Sequence, residues 1–239
     1  MLCRAAMRFP SPLTEGRLIR RYKRFLADVQ LATGEAVTVH VANPGAMRGL
    51  AEPGMRVFVS RSASLTRKLP WSLELVETGG NLVGINTSHP NRLVEEAIGA
   101  DAIAELTGYE LLRREVAYGK NSRIDILLSG VGKPDAYVEI KNVHFSRAKG
   151  RAEFPDSVTA RGTKHLGELT AMVAAGKRAA MLYLVQRSDT ESLALARDID
   201  PVYGAAFDAA HAAGVEMLAY QCQITPEEIV VTTRLPVLG

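Results

Sequence analysis

Short apolar-rich runs with strand character alternate with clusters of turn residues along the first 85 or so positions of the chain. The runs cover residues 17–29, 36–41, 56–61, 71–77 and 82–86, and between them lie Thr33-Gly34, Asn43-Pro-Gly-Ala, Glu52-Pro-Gly and Thr78-Gly-Gly-Asn. Runs of this length punctuated by Gly, Pro and Asn predict strands joined by tight turns. Five of them predict a small barrel of the OB type.

From Pro90 the pattern changes. Leu93, Ala97, Ile98, Ile103 and Leu106 fall at helical spacing, with Gly99 a candidate interruption and Gly108 a stop. Strands are predicted over 111–118, 122–128 and 136–145, a helix over 158–175 closing at Gly176, and a buried, nearly all-apolar strand over 179–186. A further helix over 202–213, begun at Asp200-Pro, precedes a strand over 215–221. This order predicts a mixed sheet with helices on its faces. The fold class is therefore α/β (α+β), with a barrel over 1–86 and a mixed-sheet domain over 87–239.

One hairpin carries candidate chemistry. If Gly130 to Pro134 connects two antiparallel strands about residue 132, Asp125 lies across from Glu139 and Arg123 across from Lys141. Alternation then places Arg123, Asp125, Glu139 and Lys141 on one face, and Ile124, Ile126, Leu128, Val138 and Ile140 on the other. Leu127 and Tyr137 break the division. Two carboxylates suit a hard cation such as Mg2+ or Mn2+, which keeps waters and takes substrate phosphate as a further ligand. A lysine two residues beyond the glutamate projects the same way, where it would orient water and offset charge on phosphate oxygens. The same four residues would equally suit an exposed strand pair bridged by surface ions.

Length and charge narrow the classes. The 239 residues are 47% hydrophobic, enough for a sizeable core, and no apolar run approaches the ~20 residues of a membrane span. The opening eight residues lack the apolar core of a signal peptide, and Cys3 and Cys222 have neither metal-ligand nor disulfide-framework spacing. A reducing cytoplasm is the expected location. Net charge is +3, but residues 1–86 hold 12 basic and 6 acidic side chains against 17 and 20 in the remainder. Arg17, Arg20, Arg21, Lys23 and Arg24 are five cations among eight residues, beside Tyr22 and Phe25. Arg67 and Lys68 add two more before Trp71. Cations interleaved with rings suit a nucleic-acid groove, the former for phosphates and the latter for bases. They also suit a solvated strand whose rings are ordinary core.

The helix over 158–175 has a polar stripe of Arg161, Lys164, His165 and Glu168. Beside a metal site it would grip a phosphate, and otherwise it is a solvated face. His165 is read as a phosphate or water contact, since no second histidine stands at ligand spacing. Glu95 and Glu96 offer a third carboxylate to the metal; Glu96 is preferred, with no spacing argument that excludes Glu95.

The chain resembles the sugar fermentation stimulation protein A (SfsA) family over nearly its whole length. The resemblance rests on the run from Leu18 to Asp28, Asn43-Pro-Gly-Ala-Met47, Thr66-Arg-Lys68 with Trp71, Asn86-Thr87, Asn91-Arg-Leu93, Ser122-Arg-Ile-Asp125, Glu139-Ile-Lys141 and Phe154-Pro-Asp-Ser-Val-Thr-Ala-Arg-Gly-Thr-Lys-His-Leu166. It implies an OB-like N-terminal domain followed by a PD-(D/E)xK nuclease-like domain in a bacterial cytoplasmic protein. Such proteins are described as DNA-binding and linked to sugar, chiefly maltose, metabolism. Asp125 then takes the first acidic position, Glu139 the second and Lys141 the lysine, while Asp135 stands too near Glu139 and belongs to the turn.

Two functions follow as expectations. One is an endonuclease-like enzyme dependent on Mg2+ or Mn2+, with metal on Asp125 and Glu139, and with Arg161, Lys164 and His165 on the phosphate. The other is a DNA-binding regulator whose acidic site is vestigial. With no helix-turn-helix pattern, weak sequence specificity and strong salt dependence are expected of either. A homodimer is compatible with both, and no membrane partner is expected.

Overall fold

Strand-forming runs of Val, Ile, Leu and Ala account for most of the architecture in the computed structural model, which describes residues 6–119 and 122–238. Cys3 and the opening residues through 5 lie outside them. The first elements are β1 (Ala6–Arg8), β2 (Thr14–Tyr22), β3 (Leu26–Leu31), β4 (Ala36–His40), β5 (Arg56–Arg61), β6 (Trp71–Thr78) and β7 (Asn81–Gly84). Then come α1 (Pro90–Gly99), a 3-10 turn (Ala104–Leu106), β8 (Leu111–Tyr118), β9 (Ser122–Gly130), β10 (Lys133–Val143), β11 (Phe145–Ala148) and β12 (Gly150–Phe154). The chain continues through α2 (Ala160–Ala174), β13 (Arg178–Val185), β14 (Thr190–Leu195), α3 (Pro201–Ala212), β15 (Glu216–Ile224), β16 (Glu228–Arg234) and β17 (Val237–Leu238).

Strands β2 to β6 form the expected barrel. Their order is β4-β3-β2-β5-β6, closed by a parallel β4–β6 pairing at Val39↔Trp71, with β7 added to β6. Leu18, Val29, Val39, Val57, Leu73 and Ile85 fill its interior. The basic run over 17–29 is not one strand. It is a hairpin paired from Gly16↔Leu31 to Tyr22↔Leu26, and Lys23 and Arg24 make the turn with φ of 47° and 62°. Positive φ at a hairpin turn matches the right-handed twist of the flanking strands, which is why the reversal falls there.

A seven-stranded sheet in the order β1-β16-β15-β13-β10-β9-β8 forms the second body, with β10, β13 and β15 parallel. Residues 6–8, assigned by sequence to the barrel segment, supply its edge strand β1 by pairing with β16. Helix α1 covers one face, where Leu93, Val94 and Ala97 pack with Ile126, Leu128, Val138 and Ile140. On the other face Leu166 and Leu169 of α2 and Phe207 of α3 pack with Leu127, Met181 and Tyr183. With both faces covered the sheet core is apolar, as a parallel centre requires. A small third sheet, β11-β12-β14-β17, lies beyond it, and its strands have no counterpart in the sequence reading apart from the end of the 136–145 run.

The helices start where their caps dictate. Thr159 accepts the Gly162 N–H at 3.1 Å to begin α2, and buried Asp200 accepts the Tyr203 N–H at 2.9 Å to begin α3. The other carboxylate oxygen of Asp200 accepts the Thr159 N–H at 2.8 Å, which ties the two helix starts together. The sequence-predicted helix from Leu93 to Leu106 ends at Gly99, after which the chain resumes only as the 3-10 turn.

Candidate active site

The expected hairpin exists, but its connection is only Val131 and Gly132, not Gly130 to Pro134, so Asp135 lies within β10. Lys133 pairs with Gly130, and beyond a register shift the strands pair about residue 132. Ala136↔Leu128, Tyr137↔Leu127 and Val138↔Ile126 are partners. The pairing stops there, one step short of Asp125 and Glu139. The Asp125 carboxylate instead accepts the Ile140 N–H through Oδ2 at 2.7 Å. Arg123 does not meet Lys141: it pairs with Ala117 of β8, and its guanidinium donates to the Glu115 carbonyl at 3.3 Å. Ile124 also leaves its expected face, packing with Leu127 and Leu166 rather than with Ile126. Opposite Asp125 on β8, Glu115 takes φ 52°, so both neighbouring strands are irregular at this point. Irregular strands next to a site commonly serve to re-aim a side chain, and here the result is an inward Asp125.

Three further elements complete the group. Asn91, in the first turn of α1, donates to Asp125 Oδ1 at 2.9 Å. Lys141 Nζ donates to Glu139 Oε1 at 2.6 Å and lies 3.2 Å from His165 Nδ1. From α2, His165 makes a short contact with the same Glu139 oxygen, and Arg161 Nε lies 3.3 Å from His165 Nε2. A cleft of about 400 Å³ opens over Asp125, Glu139 and Lys141, rimmed by Arg114 and Arg161. Asp125 is pushed above the usual carboxylate range by burial and by the neighbouring Glu139 charge, against the restraint of the Ile140 N–H and Asn91. Burial works to raise Glu139 too, but the His165 hydrogen bond and the Lys141 charge outweigh it and hold Glu139 low. Its Oε2 atom is buried and has no hydrogen-bond partner.

Several expected site residues stand elsewhere. Glu96 is not brought to Asp125; it pairs with Arg92 at 2.7 Å, one turn back on α1, and Glu95 meets Arg114 at 3.2 Å. Asn91 stands at the start of α1, the end of the helix that docks beside Asp125. The α2 stripe divides, because His165 is buried against Glu139 while Lys164 donates to Ser122 at 3.0 Å beside Glu168. Of the barrel cations, Arg20 pairs with Asp28 at 2.8 Å and stacks on Tyr22, and Arg17 donates to the Gly54 carbonyl. Arg21 is structural: it donates to the carbonyls of Arg24, Asn43, Gly45 and Ala46. Lys23, Arg24, Arg67 and Lys68 are exposed, with Arg67 donating to Ser72 at 2.8 Å. Trp71 is half-buried against the barrel core, with the Arg61 guanidinium 5.5 Å from its ring centre. In the sequence Asn91 stands out only as part of Asn91-Arg-Leu93, and its one local signal is a polar side chain directly after Pro90.

Comparison with known proteins agrees with the fold of barrel and mixed sheet. The family described as "SfsA N-terminal OB domain" matches residues 19–85, and "Sugar fermentation stimulation protein RE domain" matches residues 88–228. A sugar fermentation stimulation protein homolog from Azorhizobium caulinodans is 56% identical over 98% of this chain and the whole of its own. The chain belongs to the sugar fermentation stimulation protein family. A homolog from Rhodospirillum centenum is 58% identical over 93% of the chain and 96% of its own length. Among solved structures, Pyrococcus furiosus SfsA in complex with Ca2+ superposes with a TM-score of 0.88, at 26% identity and over 98% of both chains. Among the described residues no helix is long and apolar enough to cross a membrane.

Proposed function

We propose that this protein is a divalent-metal-dependent phosphodiesterase acting on DNA, with Asp125 and Glu139 as metal ligands and Lys141 as the electrostatic arm. The observation that carries the reading is Glu139 Oε2, a buried carboxylate oxygen without a partner, on a residue that lines the same cleft as Asp125. A bare oxygen of this kind costs free energy unless a cation or water satisfies it. Among the described residues no group of three or more His, Cys, Asp and Glu side chains is gathered as a metal cage. Two carboxylates as a donor set suit Mg2+ or Mn2+, which complete their shells with water and substrate phosphate. The Ca2+ in the related Pyrococcus structure supports the same class of hard, oxygen-seeking ion.

A bound ion would supply Lewis acidity toward a phosphoryl oxygen and toward water. The chain's own residues do the rest. Asn91 and the Ile140 N–H hold Asp125 in one orientation. His165 and Lys141 hold Glu139 ionised, and Arg161 faces the cleft where a phosphate would enter. Binding through phosphates implies weak sequence preference and steep salt dependence.

A second reading is favoured by one observation. Glu139 Oε1 is already shared by Lys141 and His165, so its charge is answered from within, as a non-catalytic site would require. In that case the protein is a DNA-binding regulator of sugar (maltose) metabolism. Incubation with supercoiled and single-stranded DNA in Mg2+ or Mn2+, beside Asp125→Ala and Lys141→Ala, separates the two. Metal-dependent cleavage lost in both variants is expected of the enzyme; wild-type protein that binds DNA but cuts it with neither metal is the regulator.

A further inference from the structure

Clefts open along the line where the barrel meets the seven-stranded sheet, and neighbouring clefts share walls. One, of about 770 Å³, lies on the barrel between Arg61, Arg67, Ser60 and Ser62. Ser88 lines both it and the cleft over Asp125 and Glu139. Thr87 and Asn142 line both that active cleft and a third, of about 260 Å³, walled by His144 and Asp156. Pro44, Gly45 and Ser157 in turn join the third to a cleft of about 270 Å³ that ends at Arg24. The result is one seam with the two metal-seeking carboxylates near its middle and exposed arginines at both ends.

The charges along this seam suit a polyanion. Acidic groups away from the metal position are answered internally. Glu74 accepts from Ser60, Asn86 and His89 at 2.6 to 2.8 Å, and Asp156 accepts the Met47 N–H at 3.1 Å with His144 3.5 Å away. Thr87, Ser88 and Asn142, at the crossings, add no charge to the seam, and their side chains are bonded to the Ala42 carbonyl, to Asn86 and to Gln186. Arg24, Arg61 and Arg67 are exposed. The three smaller clefts, of about 260 to 400 Å³, are recesses of small-ligand size, and grooves on barrels of the OB type commonly track single strands.

We propose that a single DNA strand lies along this seam, from Arg61 and Arg67 past Ser88, over Asp125 and Glu139, and past Asn142 to Arg24. The bond presented to the carboxylates is then an internal one, with nucleotides held on both sides. This inference rests on the phosphodiesterase reading for the fate of that bond, but the path of the strand is independent of it.

The test is crosslinking without metal. Ala63 and Ala46 are exposed and line the two end clefts. Ala63→Cys and Ala46→Cys, each in a Cys3→Ala background, would carry an aryl azide, while buried Cys222 stays unlabelled. In EDTA, both probes are expected to crosslink a labelled single-stranded oligonucleotide, and the matching duplex is expected to crosslink at neither. Crosslinking at one end only, or equally to the duplex, overturns the proposal. Arg24→Ala and Arg67→Ala should each flatten the slope of log affinity against log salt by about 0.7, the loss of one phosphate contact on a single strand. An unchanged slope in both also overturns it. Crosslinks at both ends in a protein that never cuts DNA would leave the seam standing and remove the phosphodiesterase, whereas cutting without seam crosslinks would do the reverse.

Discussion

Asp125 accepts the backbone N–H of Ile140 at 2.7 Å, reaching across its own hairpin at the point where strand pairing has ended. A side-chain oxygen takes the place of a ladder partner there, and Asn91 fixes the other oxygen at 2.9 Å. The carboxylate is therefore aimed before any ligand arrives. Pre-aimed ligands lower the reorganisation a metal must drive, and this relationship yields the first of four predictions.

Asn91→Ala removes a hydrogen bond that favours ionised Asp125, leaving burial and the Glu139 charge to raise its pKa further. Divalent-metal affinity is expected to fall about 10- to 100-fold, as for other residues that orient a ligand. Isothermal titration with Mn2+ checks this. Affinity equal to wild type would mean that Asn91 does not orient Asp125 for a metal.

Arg21 should matter to stability far more than its exposed neighbour Arg20. Its guanidinium ties the carbonyls of Arg24, Asn43, Gly45 and Ala46 together, whereas Arg20 makes a surface pair with Asp28. Arg21→Ala is expected to destabilise the protein by about 1–3 kcal/mol, from several lost charge-assisted bonds. Arg20→Ala should leave urea denaturation nearly unchanged. Equal midpoints for the two variants would contradict this division.

Asp156 gives the barrel contact an acid limit. Burial works to raise its pKa, but His144, the Met47 N–H and Ser157 outweigh it and bring it down to about 2. A carboxylate held below its unfolded value contributes stability above that value and loses it as pH falls through the folded one. The contribution, on the order of 1–2 kcal/mol after screening, should be present at neutral pH and disappear between about pH 4 and 2. Chemical denaturation of wild type and Asp156→Asn across that window should show their difference shrinking. Gly45 belongs to the same contact, since a Cβ there would stand 2.7 Å from Asp156 Oδ2. Gly45→Val should therefore weaken it as well.

Cys222 should be inert in the native protein. It is fully buried in the core, and burial pushes its thiol pKa far up. With Cys3→Ala, an aromatic disulfide reagent is expected to titrate no thiol until denaturant is added. Rapid native modification would place Cys222 at the surface and contradict the packing of β15 against β16.

Much of the candidate site was legible before any fold was known. The hairpin centre at residue 132 brought Asp125 near Glu139, and period-two alternation set Lys141 beside Glu139, because local backbone geometry is enough for both. Asn91 and Glu96 show where such reasoning ends. The helix predicted from Leu93 holds Glu96 and leaves Asn91 outside it, and only the docking of α1 against β9 determines which of the two reaches Asp125. His165 was found on a polar stripe, but its burial against Glu139 depends on how α2 lies on the sheet. The cations of residues 17–24 look alike in sequence, yet a turn at Lys23 and Arg24 exposes some and leaves Arg21 half-buried, with its guanidinium on backbone carbonyls.

By itself, then, the sequence determined the barrel, the mixed sheet, the family and the acidic hairpin, since these follow from residue patterns that act over a few positions. Tertiary structure decided which face of the hairpin is covered, which residues support each carboxylate, and that the clefts join along one seam. Those relations bring together Asn91, Asp125, Lys141 and His165 from four elements, and also Asn43–Met47 and Asp156 from two domains. Contacts between residues so distant in the chain are set by packing, which no local pattern encodes.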